Sequence, residues 1–188
     1  MTRLSKALFV LPTLFTLTSV FMGLLSVVSA AEGNFRLSGL TILFAILFDS
    51  LDGRVARLTK TQSDFGIQID SLADVVSFGI APATLVYLAL LKGRLILGTM
   101  DVGLPVAFVF LAAGTIRLAR YNLDAARKTG AVKQFTGLPI PAAAGCLAGL
   151  VFGLTKAGHS ISAAVAVVFL LTLSFLMVST VKYRKKVN

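Results

Sequence analysis

Residues 48–79 read FDSLDGRVARLTKTQSDFGIQIDSLADVVSFG and contain five of the chain's eight acidic residues, Asp49, Asp52, Asp64, Asp70 and Asp74. The chain as a whole is strongly apolar, because 56% of its 188 residues are hydrophobic and 14% are charged. A soluble domain averages roughly 45–50% apolar and about 25% charged residues. Most of the acid is therefore concentrated in one segment of a chain that otherwise suits a lipid environment.

Six stretches of the sequence are long enough to cross a bilayer. Three are charge-free runs, 7–31, 134–155 and 157–181, and each exceeds the roughly 20 residues that a transmembrane helix needs. Three shorter apolar runs reach that length once their polar flanks are included, and they are 37–48, 75–91 and 102–116. We therefore predict an all-α integral membrane protein, a single domain over 1–188, with six transmembrane helices at 8–31, 36–57, 65–91, 102–123, 137–156 and 159–181.

Lysine and arginine are unequally divided between the two sides of this topology. Of the eighteen, fourteen fall on the side of the N-terminus and four on the other side, namely Arg36, Lys92, Arg94 and Lys156. Cytoplasmic loops of membrane proteins contain the excess of basic residues, so we predict that both termini are cytoplasmic. The net charge of +10 then lies beside anionic lipid headgroups, and no nucleic-acid partner is expected.

The aspartates recur at helical spacing. Four residues of the second helix share one face because they stand at i, i+3, i+4 and i+7. They are Asp49, Asp52, Gly53 and Ala56. Steps of four put Gly66, Asp70 and Asp74 on one face of the third helix. Because the connection between these helices is short, they are antiparallel neighbours. We therefore expect the four carboxylates on these two faces to converge at the cytoplasmic side.

Four carboxylates at the edge of a membrane need positive charge nearby, since each ionised one costs about 2.5–3.5 kcal/mol there. Arg57 offsets one of them. Hard divalent cations take all-oxygen sites, and two metal ions about 3.5–4 Å apart form a known clamp for displacement at phosphorus. The small residues Gly53, Ala56 and Gly66 leave room for a ligand, and Ser63 is either a helix N-cap or a phosphate ligand.

An ion-coupled transporter is the alternative from another functional class, because intramembrane carboxylates also mark ion pathways. A transporter predicts charges along a route through the whole bilayer, whereas these aspartates cluster at one side. The sequence also lacks an obvious internal two-fold repeat, which many transporters have. Both observations favour an enzyme.

The acidic segment resembles the signature of the CDP-alcohol phosphatidyltransferases, D-x-x-D-G-x-x-A-R-x8-G-x-x-x-D-x-x-x-D, at every fixed position from Asp49 to Asp74. The resemblance implies the six-helix CDP-alcohol phosphotransferase fold in a homodimer. It also implies that Asp49, Asp52, Asp70 and Asp74 hold two Mg2+ or Mn2+ ions, with Asp74 as the general base. The implied CDP-lipid contacts are Gly53, Ala56, Arg57, Ser63 and Gly66.

Three further segments, LPTLFTLTSVFMGLLSVV (11–28), IRLARYN (116–122) and FTGLPIPAAAG (135–145), are similar to counterparts in bacterial and archaeal phosphatidylserine synthases. This resemblance implies transfer of a phosphatidyl group from CDP-diacylglycerol to L-serine, giving phosphatidylserine and CMP. It also implies a prokaryotic inner membrane, with the site facing the cytoplasm. Glycerol-3-phosphate and an inositol phosphate remain open as acceptors for the same chemistry.

Serine is a zwitterion, so its carboxylate requires a cation in the site. The candidates at the expected mouth of the cavity are Arg117, Arg120, Asn122, Lys133 and Thr136, with Asp124 as a candidate for the ammonium group. Arginine suits bidentate recognition of a carboxylate, although basic residues here also fit the topology rule alone. Thr16, in the first helix, either contacts the nucleotide or bonds to its own helix.

Overall fold

Six helices dominate the computed structural model, which describes residues 3–59, 64–127, 135–179 and 182–183, with side chains at 13–55, 66–124 and 137–179. They are α1 (Arg3–Ala31), α2 (Phe35–Thr59), α3 (Asp64–Leu91), α4 (Gly103–Arg127), α5 (Ile140–Ala157) and α6 (Ala163–Val178). Their number and order confirm the predicted all-α fold.

The last two helices are shorter than predicted. α5 begins at Ile140 rather than at 137, because Pro139 has a non-helical backbone with φ −58° and ψ 138°. α6 covers 163–178 rather than 159–181. At its start the Oγ of Ser162 accepts a hydrogen bond from the backbone N of Val165, at 3.4 Å, which is the usual role of an N-cap serine. At its end Ser179 has an extended backbone.

Four helices in the described part of the chain are long and apolar enough to span a bilayer by themselves, over Thr13–Ala31, Gly66–Leu91, Gly103–Asp124 and Ile140–Ala157. α6 is apolar but has 16 residues, about 24 Å at 1.5 Å per residue, against a hydrocarbon core of about 30 Å. α2 has 25 residues and contains Asp49, Asp52 and Arg54. The helix that is too polar to qualify by composition is thus the one that begins the acidic segment.

α3 is the central helix and packs against each of the other five. It contains two π-helical segments, Val75–Ile80 and Tyr87–Leu91, within otherwise α-helical structure. In the first, the backbone N of Ala81 donates to the carbonyl of Val76, five residues back. Each π-helical segment shifts the following residues around the helix axis relative to a regular α-helix. The first shift begins immediately after Asp74, and the sequence pattern did not predict it.

α1 and α3 approach one another closely because α1 has a glycine at the contact. A Cβ on Gly23 would lie 2.8 Å from the Cα of Ser77, which is closer than real Cβ atoms approach. Small residues at such positions let helix backbones pack tightly in membranes. Around this contact the core is filled by fully buried side chains, including Phe78, Leu85 and Phe110.

Two short antiparallel ribbons lie at opposite ends of the bundle. β1 (Ile96–Leu97) pairs with β2 (Met100–Asp101) in the connection from α3 to α4. β3 (Phe135–Thr136) pairs with β4 (Lys182–Tyr183), which joins the segment before α5 to the chain after α6.

The residue that follows β3 must be glycine. Gly137 has a φ of +77°, and a Cβ there would lie 2.6 Å from the carbonyl oxygen of Met177. The backbone N of Leu138 donates to the carbonyl of Leu176 at 3.0 Å. The FTGLP segment therefore packs directly against the C-terminal turn of α6.

Candidate active site

Three of the four predicted aspartates meet at the end of the bundle where α2 finishes and α3 starts. One carboxylate oxygen from each of Asp49, Asp70 and Asp74 lies within 4.8 Å of the others. The carboxyl groups of Asp49 and Asp74 are close enough to interact electrostatically. Asp70 and Asp74 share one face of α3 because they are four residues apart, and Asp49 faces them from α2. The helical spacing thus produces the expected convergence for these three.

Asp52 lies beside this cluster rather than in it. Its side chain is 5% exposed, and its Oδ2 accepts a hydrogen bond from the Oγ1 of Thr16 at 2.9 Å. Thr16 is buried on α1, so this bond joins α1 to α2. The sequence left two interpretations of Thr16 open, a nucleotide contact and a bond to its own helix. The structure shows a different contact, with an aspartate of the signature. Nothing in the sequence spacing predicts this contact, because it joins two separate helices.

Two buried polar atoms at the cluster have no hydrogen-bond partner among the described residues, Oδ1 of Asp74 and Nε of Arg117. Arg117, on α4, interacts electrostatically with Asp74. Leaving a buried polar atom without a partner costs about 1–3 kcal/mol, and more for a charged group, so such atoms need an explanation. A bound ligand or ion supplies one.

The donor set suits a hard divalent cation. The cluster presents only carboxylate oxygens, the ligands that Mg2+, Mn2+ and Ca2+ prefer. The Oδ1 of Asp74 accepts no hydrogen bond from the described residues, so its lone pairs are available to coordinate an ion. A cation at this point would also offset the repulsion among neighbouring carboxylates. The residues present therefore fit a metal ion held by Asp49, Asp70 and Asp74.

Three of the other four residues predicted to bind serine have partners in the described part of the protein. Arg120 Nη1 donates to the carbonyl of Val178 at 3.1 Å, at the end of α6. Asn122 Nδ2 donates to the Oγ of Ser71 at 2.9 Å, which ties α4 to α3 beside Asp70. Thr136 is paired through its backbone with Lys182 in the β3–β4 ribbon. Their roles in serine binding remain predictions.

Ser71 was not singled out in the sequence. Its hydroxyl also donates to the carbonyl of Ile67 on its own helix. The one sequence feature that could have identified it is its position next to Asp70. Arg117 differs from Arg120 and Asn122 because its Nε is buried without a partner in the described part of the chain. Among the described residues predicted to bind serine, Arg117 is thus the one with a buried donor, Nε, left for a ligand at the cluster.

The predicted CDP-lipid residues are described to different extents. Gly53 follows Asp52 and is half-buried, and Gly66 is half-buried one helical turn before Asp70. Ala56 and Arg57 are described in their backbone only, as part of α2. Ser63 and Lys133 lie outside the described residues. For all of these the predicted contacts are untested by the structure.

A model of one protein family, the CDP-alcohol phosphatidyltransferases, matches residues 9–178 of the chain. This match covers all six helices and the whole acidic signature. The chain belongs to the CDP-alcohol phosphatidyltransferase family. The predicted family is thereby confirmed, and so is the six-helix membrane fold expected from it.

Curated relatives align along most of the chain. It is 40% identical over 181 residues to a protein of Helicobacter pylori (strain J99) named CDP-diacylglycerol–serine O-phosphatidyltransferase, covering 94% of this chain and 72% of the relative. It is 38% identical over 175 residues to the archaetidylserine synthase of Methanothermobacter thermautotrophicus, covering 92% and 69%. It is also 38% identical over 173 residues to a protein of Methanocaldococcus jannaschii named CDP-diacylglycerol–serine O-phosphatidyltransferase, covering 92% and 73%.

Proposed function

We propose that this protein transfers a phosphatidyl group from CDP-diacylglycerol to the hydroxyl of L-serine, giving phosphatidylserine and CMP. The observation that carries the proposal is the cluster of Asp49, Asp70 and Asp74 with Arg117, a half-buried arginine whose Nε is buried, beside it. The names of the relatives support serine as the acceptor. The whole activity is assigned to one domain over residues 1–188, with the site at the cytoplasmic face of a prokaryotic inner membrane.

Asp49, Asp70 and Asp74, with Asp52 beside them, are proposed to hold two divalent cations, Mg2+ or Mn2+. When bound, such ions supply electrostatic stabilisation of the charge that develops on the phosphoryl group and on departing CMP. The protein's own contribution is to hold the carboxylates together. It does so with residues one turn apart on α3, with Asp49 on α2, and with the Thr16 hydrogen bond that orients Asp52.

Asp74 is proposed as the general base. A serine hydroxyl is weakly nucleophilic until a positioned base takes its proton. In the proposed step the serine oxygen forms a bond to the β-phosphorus of the CDP-lipid, the bond from that phosphorus to the CMP oxygen breaks, and the hydroxyl proton moves to Asp74. The buried Oδ1 of Asp74, which has no partner among the described residues, suits this role.

Arg117 is proposed to bind the serine carboxylate. Its guanidinium is planar, lies near Asp74 and retains a buried Nε without a partner in the described part of the chain. An acceptor carboxylate bound there would lie close to the base. Glycerol-3-phosphate and inositol phosphate bear a dianionic phosphate, which favours several basic groups. Among the described residues, Arg117 is the basic group that interacts with Asp74, and a single arginine favours the singly charged carboxylate.

Turnover of purified protein tests the proposal. CDP-diacylglycerol and Mg2+ or Mn2+ would be supplied with serine, glycerol-3-phosphate or inositol phosphate in separate reactions, and CMP release would be followed while the lipid product is identified by mass. We expect metal-dependent CMP release and phosphatidylserine with serine alone. Release with a phosphorylated acceptor instead would overturn the assignment of Arg117. If folded protein releases no CMP with any of the three acceptors, the enzyme assignment fails and the ion-coupled transporter becomes the favoured interpretation.

A further inference from the structure

Three helices are joined by hydroxyl hydrogen bonds in the core beneath the aspartate cluster. The Oγ of Ser77, on α3, donates to the carbonyl of Ser19, on α1, at 3.0 Å. The Oγ of Ser19 lies 3.2 Å from the carbonyl of Ala45, on α2, and 3.4 Å from the Oγ of Ser77. All three residues are buried, with exposed fractions of 2%, 0% and 0% for Ser19, Ser77 and Ala45. We refer to Ser19, Ser77 and the Ala45 carbonyl as the serine junction.

The serine junction lies one helical turn from the site on each of its three helices. On α3, Ser77 follows Asp74 by three residues, and on α2, Ala45 precedes Asp49 by four. On α1, Ser19 follows Thr16 by three residues, and Thr16 bonds to Asp52. Residues three or four apart lie on one face of an α-helix, as on α1 and α2, whereas on α3 Ser77 lies in the π-helical segment that directly follows Asp74. The junction therefore fixes the relative height and rotation of the helices that present the aspartates.

The π-helical part of α3 is where the rotation of this helix against α1 and α2 has to be restrained. Its π-helical segment, Val75–Ile80, begins at the residue after Asp74 and includes Ser77. π-helical segments are rare and occur often at functional sites. Because the segment changes the rotation of α3 next to Asp74, a bond from Ser77 to another helix restrains that rotation. The contact with Gly23, where a Cβ would lie 2.8 Å from the Cα of Ser77, brings the two backbones close enough for the bond.

We propose that Ser19 and Ser77 are positioning residues for the transfer reaction, and that their bonds hold Asp74 and Asp49 at the separation the site requires. The expected effect on turnover rests on the proposed function. The expected effect on the arrangement of the carboxylates rests on the geometry alone. Neither serine touches the reacting atoms, and both act through the aspartates one turn away.

The chain contains a matched control at the far end of the same helices. The Oγ atoms of Ser26, on α1, and Ser38, on α2, lie 2.8 Å apart and form a buried hydrogen bond. This pair also joins two helices through hydroxyl groups, but it is remote in sequence from the aspartates. Replacing Ser26 removes an interhelical bond of the same kind without changing the helices near the site.

The test compares Ser77→Ala, Ser19→Ala, Ser77→Cys and Ser26→Ala in full-length protein in detergent. The dissociation constant of Mn2+ is measured by electron paramagnetic resonance without substrates, together with kcat, the KM for serine and the melting temperature. We expect Ser77→Ala and Ser19→Ala to weaken Mn2+ binding and lower kcat roughly three- to tenfold, on the scale of one interhelical hydrogen bond in a membrane.

The KM for serine should change less than kcat, and Ser77→Cys, which keeps a weak donor, should give intermediate values. Ser26→Ala should lower the melting temperature by a similar amount but leave Mn2+ binding and kcat unchanged. Equal effects of Ser26→Ala and Ser77→Ala on Mn2+ binding would overturn the proposal, as would wild-type Mn2+ binding in both Ser77→Ala and Ser19→Ala. If the wild type shows no turnover with serine, the proposed function fails, while Mn2+ binding still tests the positioning role.

Discussion

The two acidic regions at opposite ends of α3 differ in how their carboxylates are satisfied. Asp101, after the C-terminal end of α3, accepts hydrogen bonds at both oxygens, from the backbone N of Gly103 to Oδ1 at 2.8 Å and of Gly93 to Oδ2 at 3.0 Å. The hydroxyl of Tyr87 adds a longer contact of 3.4 Å to Oδ2. Asp74, near the other end, is half-buried, and its buried Oδ1 lacks a partner among the described residues.

This difference is the one expected between a structural carboxylate and a carboxylate proposed to act in catalysis. The backbone amides of Gly93 and Gly103 stabilise the ionised form and lower the pKa of Asp101. This aspartate therefore holds the α3–α4 connection together through hydrogen bonds donated by the connection itself. The cluster of Asp49, Asp70 and Asp74 contains acceptors facing other acceptors. Arg117 is one positive group of the chain beside the three carboxylates, and a divalent cation would supply the further positive charge that the proposed site requires.

The largest effect is expected from Asp74→Asn. A general base contributes typically about 10²–10⁴ to a rate, so CMP release with serine should fall by about that factor or below detection. The protein should remain folded and membrane-inserted, because asparagine keeps the size of the side chain. The measurement is CMP release, with melting temperature and gel filtration as checks on folding. Activity within tenfold of the wild type would remove Asp74 as the base.

Arg117→Lys should have the next largest effect. Lysine keeps a positive charge near Asp74 but removes the Nε donor proposed to bind the serine carboxylate. A hydrogen bond to a charged group is worth about 1.5–3 kcal/mol, so the KM for serine should rise roughly 10- to 100-fold, with a smaller change in kcat. Arg120→Ala is the control, because Arg120 bonds to the carbonyl of Val178. A KM unchanged by Arg117→Lys, or raised equally by Arg120→Ala, would contradict the assignment.

Thr16→Val tests whether the bond from α1 to Asp52 affects the cluster. The substitution keeps the shape of the side chain and removes the hydroxyl that donates to Asp52 at 2.9 Å. We expect Mn2+ binding to weaken roughly three- to tenfold, on the scale of one interhelical hydrogen bond. Thr18→Val is the control, because its Oγ1 bonds to the carbonyl of Leu14 on its own helix. Equal Mn2+ affinities for the two variants would show that the Thr16 bond is dispensable.

Asp101→Asn should leave turnover unchanged and loosen only the α3–α4 connection. An asparagine amide cannot accept from both backbone amides, so hydrogen exchange at Gly93 and Gly103 should accelerate. In the wild type the pKa of Asp101 is lower when folded than when unfolded, so its contribution to stability is present above its ordinary pKa of about 3.9. That contribution is lost as pH falls through the lowered value. A loss of CMP release in this variant would break the division between the two regions.

The sequence predicted those features that depend on periodicity. Long apolar runs predicted six helices, and a spacing of four predicted that Asp70 and Asp74 share a face with Asp49 opposite. These features follow from the helical repeat, so they need no knowledge of tertiary packing. The family followed from the same segment, because the signature is itself a fixed pattern of helical positions.

Features that depend on contacts between helices were not predictable in this way. The π-helical segment after Asp74 has no marker in side-chain type, because it depends on packing around α3. The Thr16–Asp52 bond depends on how α1 is rotated against α2. Arg120, predicted as a ligand for serine because it is a basic residue near the site, donates to the carbonyl of Val178 at the end of α6, a contact that the sequence pattern does not show. Charge and position define a candidate, and only the three-dimensional contacts distinguish a binding group from a structural one.

Mn2+ binding to purified protein would show whether the carboxylate cluster is a divalent metal site. Electron paramagnetic resonance would compare the wild type with Asp70→Asn and Asp101→Asn. Even partners outside the ligand shell alter metal affinity by about 10–100-fold, so Asp70→Asn should weaken binding by at least about tenfold while Asp101→Asn binds as the wild type does. Equal binding by the wild type and Asp70→Asn would contradict the claim.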